Sequence, residues 1–250
     1  MAGFGKGGVV VVTGGVGEKL RPRLEHAGFR VVGCARSGAD VTMDLGDDAS
    51  IQAGVEAILR LRGEDRLAGL VNLAGIIVEG PLELIPPEEL RRQFEINVGA
   101  VTARTTLPFF GAVAASKAAL ASLTETLRME CAPLGIAVTL IEPGALKTDI
   151  FRKASDAQAQ SLARQPREIV ALYEPAMAAA RTAMAGSPVD DPDVVARAIE
   201  AALVDARPKL RVLAGKGTAT LALLGRLPAR LRDHLLLSQL GITKALRTAY

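Results

Sequence analysis

The stretch Val9-Val10-Val11-Val12-Thr13-Gly14-Gly15-Val16-Gly17-Glu18 decides the fold. Four β-branched residues in a row suit a strand buried on both faces, and the glycines stop it in a tight turn. Residues 18–27 then have helical spacing and end at Gly28. A strand, a glycine turn and a helix in that order open a parallel α/β unit.

The alternation continues outward from that unit. Residues 29–35 and 40–45 read as the next strands, 51–61 as a helix, and 67–73 as a fourth strand that stops at Ala74-Gly75. Pro86 and Pro87 suit a first helical turn, and 88–96 continues it. A long Ala-rich helix over 114–132 ends at Gly135, and a strand over 136–141 is broken by Glu142-Pro143-Gly144. Residues 151–190 are polar, Ala-rich and helical. Asp191-Pro192 opens a helix to residue 202, 210–213 is a last strand, and the Leu/Arg tail to Tyr250 is helical. This predicts an α/β chain with a doubly wound parallel sheet, one domain over 1–250, with 190–250 as a helical extension or lid.

Composition narrows the function. Apolar residues make up 49% of the chain and aromatics only 3%, which suits strands covered on both faces by Ala- and Leu-rich helices. The net charge of +3 arises from 30 basic and 27 acidic residues spread along the chain, so no basic block marks a nucleic-acid partner. Cys34 and Cys131 lie in apolar segments without metal-ligand spacing. They read as buried reduced thiols, predicting a cytoplasmic protein with no metal site. Neither a charged-then-apolar leader nor a membrane-length apolar run is present.

Five stretches, in this order, resemble the short-chain dehydrogenase/reductase family over most of the chain. They are Thr13-Gly14-Gly15-Val16-Gly17, Asp44-Leu45, Asn72-Leu73-Ala74-Gly75, Ala115-Ser116-Lys117 and Pro143-Gly144-Ala145-Leu146-Lys147-Thr148. The resemblance implies a Rossmann fold and an NAD(P)-dependent oxidoreductase acting on a carbonyl or secondary alcohol. It also implies a homodimer or homotetramer assembled through the long helices. Thr13, Gly14, Gly15 and Gly17 would form the pyrophosphate loop, where glycines let the backbone approach the phosphates at a helix N-terminus. Asp44 would contact the adenine, although it could equally cap a turn. Asn72, Ala74 and Gly75 would support the cofactor, Leu73 standing where the family has a second Asn. Pro143 and Gly144 would belong to the cofactor site, and Thr148 would meet the nicotinamide carboxamide, being equally readable as a helix cap.

Cofactor choice falls to Ala35-Arg36 after the second strand. A guanidinium there suits a 2′-phosphate through paired charge-assisted hydrogen bonds, so NADP is expected, with NAD as the alternative. The bland reading makes Arg36 a solvated loop charge. The C-terminal third looks like the branch acting on steroids, retinoids or other lipophilic alcohols. Residues 221–240 would form an apolar substrate lid, although a helix lying on a membrane surface would show a similar pattern.

The catalytic set is broken. The family places a tyrosine one helical turn before the lysine, so Lys117 puts it at residue 113, which is Val. General acid/base work contributes about 100- to 10,000-fold, and valine has no proton to give. Lys117 keeps its ribose role and Asn97 its place in the proton relay. The serine that orients substrate oxygen falls at about Ala100. Residues 97–103 stand both for the helix motif with its Asn and for the serine strand, so about two dozen residues of helix and strand are missing. The glycine loop is about three residues short of Thr-Gly-x-x-x-Gly-x-Gly, and Arg36 to Asp40 leaves no room for a helix. Either the chain is an impaired oxidoreductase, or it is a catalytically dead relative that binds nucleotide or serves as an oligomer scaffold. A third reading is that the sequence has been shortened.

Overall fold

A computed structural model describes residues 7–14, 19–97 and 107–249. The opening unit forms β1 (Val9–Thr13) and α1 (Leu20–His26). Strand β1 is buried along its whole length because it is paired on both sides, in parallel, by β2 (Arg30–Ala35) and β4 (Leu67–Asn72). With the short β3 (Val41–Thr42) beyond β2, the order is β3-β2-β1-β4.

Alternation along β1 divides its valines between two cores. Val10 and Val12 pack with Leu20, Leu24 and Phe29 under α1 and α7 (Asp193–Val204), which supplies Ala196 and Ile199. Val9 and Val11 pack with Val32, Cys34, Val41 and Met43 under Ile51, Ala57 and Ile58 of α2 (Asp48–Arg62). Each fully buried valine contributes roughly 1.5–3 kcal/mol, so these helices are held to the sheet chiefly by apolar burial. Arg23 adds a polar tie across α1 and α7, its guanidinium gripping both Asp193 oxygens at 2.7 and 3.1 Å and Glu200 at 3.2 Å.

The remaining helices are α3 (Pro87–Asn97), α4 (Gly111–Cys131), α5 (Ile150–Leu162), α6 (Arg167–Ala185), α8 (Thr218–Leu224), α9 (Ala229–Gln239) and α10 (Ile242–Ala249). The last two strands, β5 (Leu140–Pro143) and β6 (Arg211–Ala214), pair in parallel with each other as a separate two-stranded sheet. Helix α7 packs on β4, β5 and β6, and Ile141 of β5 joins the core of Val10 and Val12. Two parallel sheets thus share one layer of helix. Among the described residues β4 pairs only with β1, and its Leu67 and Leu70 are 50% and 60% exposed.

Several boundaries differ from expectation. Strand β3 covers two residues instead of 40–45, because the chain turns away toward α2 once Cys34 and Ala35 have been paired. Asp44 accepts from Gly46 N at 3.0 Å, and Asp47 caps α2 through Ala49 N. Strand β5 begins at Leu140 and not at residue 136, since no strand lies opposite 136–139 among the described residues, and Ile136 is half exposed. The 221–240 stretch is two helices interrupted by residues 225–228. Leu236 and Leu240 are buried, Leu240 against α6 and α10, while Leu223 and Leu231 face solvent. Cys34 is buried and its thiol is pushed up by that burial, whereas Cys131 is only half-buried; both are free.

One ion pair ties β5 to β6. Glu142, 1% exposed, accepts from Arg211 Nε, and its other oxygen is buried without a partner among the described residues. Removing the guanidinium strands a buried carboxylate, which costs more than replacing the pair by apolar groups. Arg211→Met should lower unfolding free energy by about 3 kcal/mol in urea titration, and adding Glu142→Leu should restore most of it. A loss under about 1 kcal/mol for the single variant would show that the pair contributes little.

Candidate functional site

The parallel strands β1, β2 and β4 end on one edge, and the family-like residues gather there. Thr13 closes β1, its hydroxyl donating to Asn72 Oδ1 at 3.2 Å and its carbonyl accepting from Leu73 N at 3.1 Å. Gly14 donates to Cys34 O at 2.9 Å with φ of +87°. A Cβ there would lie 2.3 Å from the Ala74 nitrogen, so both the backbone twist and the close approach require glycine. Thr13-Gly14 and Asn72-Leu73-Ala74-Gly75 are therefore one continuous backbone surface. Gly15 and Gly17 lie outside the described residues.

Arg36 and Asp44 follow β2 and β3, on the β2 side of β1, and Arg36 is exposed. Past Gly75, on the β4 side, the chain is gripped by α3. Ile76 N donates to Asn97 Oδ1 at 2.7 Å, and Ile76 O accepts from Asn97 Nδ2 at 2.7 Å and Gln93 Nε2 at 2.9 Å. Val78 N donates to Gln93 Oε1 at 2.7 Å. Both amides are fully buried, and each also reaches Ser116 Oγ at 3.4 Å. That hydroxyl donates to Val113 O at 2.9 Å. Asn97 and the Val113 carbonyl thus meet at the Ser116 hydroxyl, and Lys117 is the next residue along α4. Ala100 lies outside the described residues.

Gln93 and Ser116 carry no role in the sequence reading. Their signal is faint: Gln93 stands one helical turn before Asn97 on the same face, and Ser116 sits inside Ala115-Ser116-Lys117.

The loop after β5 is held separately. Gly144 N donates to Ala214 O at 2.8 Å, with Pro143 half-buried before it. Asp190, 8% exposed, bridges the loop: its N donates to Ala145 O at 2.8 Å, its O accepts from Lys147 N at 2.9 Å, and its carboxylate accepts from Lys216 N at 2.5 Å. Thr148 is exposed, and Asp149, the cap of α5, makes no side-chain capping bond.

Chemically the cluster offers a buried cation and no acid at residue 113. Lys117 is 8% exposed, and burial lowers its ammonium to about 8. A lysine depressed in the folded state binds fewer protons than the unfolded chain between about 8 and its ordinary 10.5, so stability rises with pH across that window. Below about 8 the burial penalty is present in full. Relative to Lys117→Met, the wild type should gain roughly 3 kcal/mol between pH 7 and 10.5 in urea titrations, and parallel curves would remove the burial argument.

Comparison with known proteins agrees with this geometry. The short chain dehydrogenase family profile matches residues 96–159. An NADPH-dependent 3-dehydrocapnine reductase of Ornithobacterium rhinotracheale is 29% identical over 189 residues, covering 58% of this chain and 67% of that protein. The uncharacterized oxidoreductase YbbO of Escherichia coli K12 is 27% identical over 267 positions, covering 91% of this chain and 93% of its own. Those 267 positions span only 91% of 250 residues, so at about 40 of them this chain has no residue. A solved short chain dehydrogenase of Burkholderia cenocepacia in complex with NADP superposes with a TM-score of 0.64 at 24% identity, over 96% of this chain and 99% of that one. With its parallel Rossmann sheet and its five motif stretches, the chain belongs to the short-chain dehydrogenase/reductase family.

Proposed function

We propose that the chain binds NADP(H) along the edge formed by β2, β1 and β4, and turns over a carbonyl or secondary alcohol at most weakly. The observation that carries this reading is the pairing of a kept binding edge with a lost proton donor. Gly14 still lies against Ala74, while residue 113, one turn before Lys117, is Val.

The donor set fits such a cofactor. Arg36 is an exposed cation beside β2, suited to a phosphorylated ribose, and NAD is the alternative if that charge is idle. Asp44 keeps a carboxylate near the end of β3 for the adenine side, and the buried Lys117 ammonium suits ribose hydroxyls on the β4 side. Gly15, Gly17 and the Pro143, Gly144 and Thr148 loop complete the proposed contacts. A bound nicotinamide supplies or accepts a hydride. The matching proton must come from protein or water, and Val113 withholds what a tyrosine would give.

A cavity of about 580 Å³ between α5 and α6 suits a lipophilic substrate. Leu162, Val170 and Met177 line it, with Gln158, Glu174 and Arg181 as polar groups. Glu79, whose carboxyl is raised by burial against the pull of Arg181, places the loop after β4 beside that cavity. No described helix is long and apolar enough to cross a membrane, and two free thiols fit our assignment to the reducing cytoplasm.

Self-assembly through α4 is part of the proposal. Leu123, Leu127, Met129 and Leu134 are exposed along α4 and just beyond it. Light scattering should report a dimer or tetramer that Leu127→Glu shifts toward monomer; a wild-type monomer at about 50 μM would refute assembly.

Fluorescence titration should show NADPH binding more tightly than NADH, with Arg36→Ala narrowing the gap. Across a panel of ketones and aldehydes, NADPH oxidation should be near the uncatalysed rate, and Val113→Tyr should raise it about 100-fold or more. Wild-type turnover equal to that of Val113→Tyr would overturn impairment. Binding with no turnover in either protein would favour the scaffold alternative, and no binding would overturn the cofactor reading.

A further inference from the structure

We infer that Gln93 is a positioning residue that sets the place of Lys117 relative to the Asn72-Leu73-Ala74-Gly75 edge, an inference that rests on the cofactor-binding reading above. Its carboxamide bonds to both sides of the cluster. Oε1 accepts from Val78 N at 2.7 Å, and Nε2 donates to Ile76 O at 2.9 Å and reaches Ser116 Oγ at 3.4 Å. Ile76 directly follows Gly75, and Ser116 directly precedes Lys117. One buried amide therefore spans from the strand edge to the helix that carries the cation.

Asn97 alone would not fix this geometry. It reaches Ser116 Oγ as Gln93 does, but on the strand side it holds only the N–H and the carbonyl of residue 76, which leaves the chain free to pivot about that residue. Gln93, one turn away on the same face of α3, adds a third point at Val78. A fourth follows at Gly80, whose N–H donates to Phe109 O at 2.9 Å at the entry to α4. Phe109 has a φ of +69°, uncommon for a residue with a side chain, so its conformation is held by its surroundings.

The clamp carries weight because α3 packs on α4 while its amides reach the segment after β4. The amides of Gln93 and Asn97 tie α4 to that segment through directional bonds, in a buried setting where an amide left without partners is costly.

Two ligands separate positioning from general damage. NADPH spans both halves of the proposed site, whereas adenosine 2′,5′-bisphosphate occupies only the adenine half by Arg36 and Asp44. For Gln93→Met, calorimetric titration should show NADPH weakened about tenfold and the bisphosphate within about twofold of wild type. The pH midpoint for NADPH binding, near 8 in the wild type through Lys117, should move upward as water reaches the loosened turn. Gln93→Glu keeps an acceptor for Val78 N and loses both donors, so it should reproduce most of the loss, and it serves if the Met variant does not fold. Equal weakening of both ligands, or of neither, would overturn the positioning role. If wild type binds neither ligand, the cofactor reading falls and this inference falls with it.

Discussion

The packing of α7 across β4, β5 and β6 is the contact on which the rest of the structure depends. One face of a twelve-residue helix, carrying Ala196 and Ile199 with Val195 and Leu203 beside them, covers strands from two separate sheets. Apolar burial is indifferent to whether the strands beneath are hydrogen-bonded to each other. That indifference lets one helix serve both sheets, and Ile141 of β5 reaches the core of Val10 and Val12. Arg23, bound to Asp193 and Glu200, then fixes how α7 lies along α1.

Much of this could be read from particular residues. The run Val9-Val10-Val11-Val12 announces a strand buried on both faces, because only pairing on both sides leaves no polar alternation. The glycine after Thr13 announces a turn, but not that the Ala74 backbone occupies the space where its side chain would stand. That contact joins residues sixty positions apart, beyond the reach of local pattern. The shortage around Ala100 is legible as missing length, but not that one helix, α7, packs on strands of two sheets among the described residues. Gln93 was hidden for a related reason. A helix pattern tells which residues share a face, and only the fold tells that this face meets a backbone segment with unpaired N–H and C=O groups.

The proposed site rests on two kinds of chemistry. The edge around Gly14, Asn72 and Ala74 is backbone geometry. The proton transfer considered above would depend on one phenol, and residue 113 is Val. Lys117 remains as a buried cation whose burial disfavours its charge, an arrangement that an anionic or hydroxyl-rich partner would relieve.

The side of β4 away from β1, unpaired among the described residues, has a consequence for handling the protein. Leu67–Asn72 is a six-residue strand, Leu-Ala-Gly-Leu-Val-Asn, with no charge and no proline, its leucines half exposed. Sheet edges are usually blunted by lysine, by proline or by a bulge that turns them away. Here the irregularity lies on the paired side, between Val9 and Val10. A strand of this composition is a template for another chain's strand wherever its edge is left open.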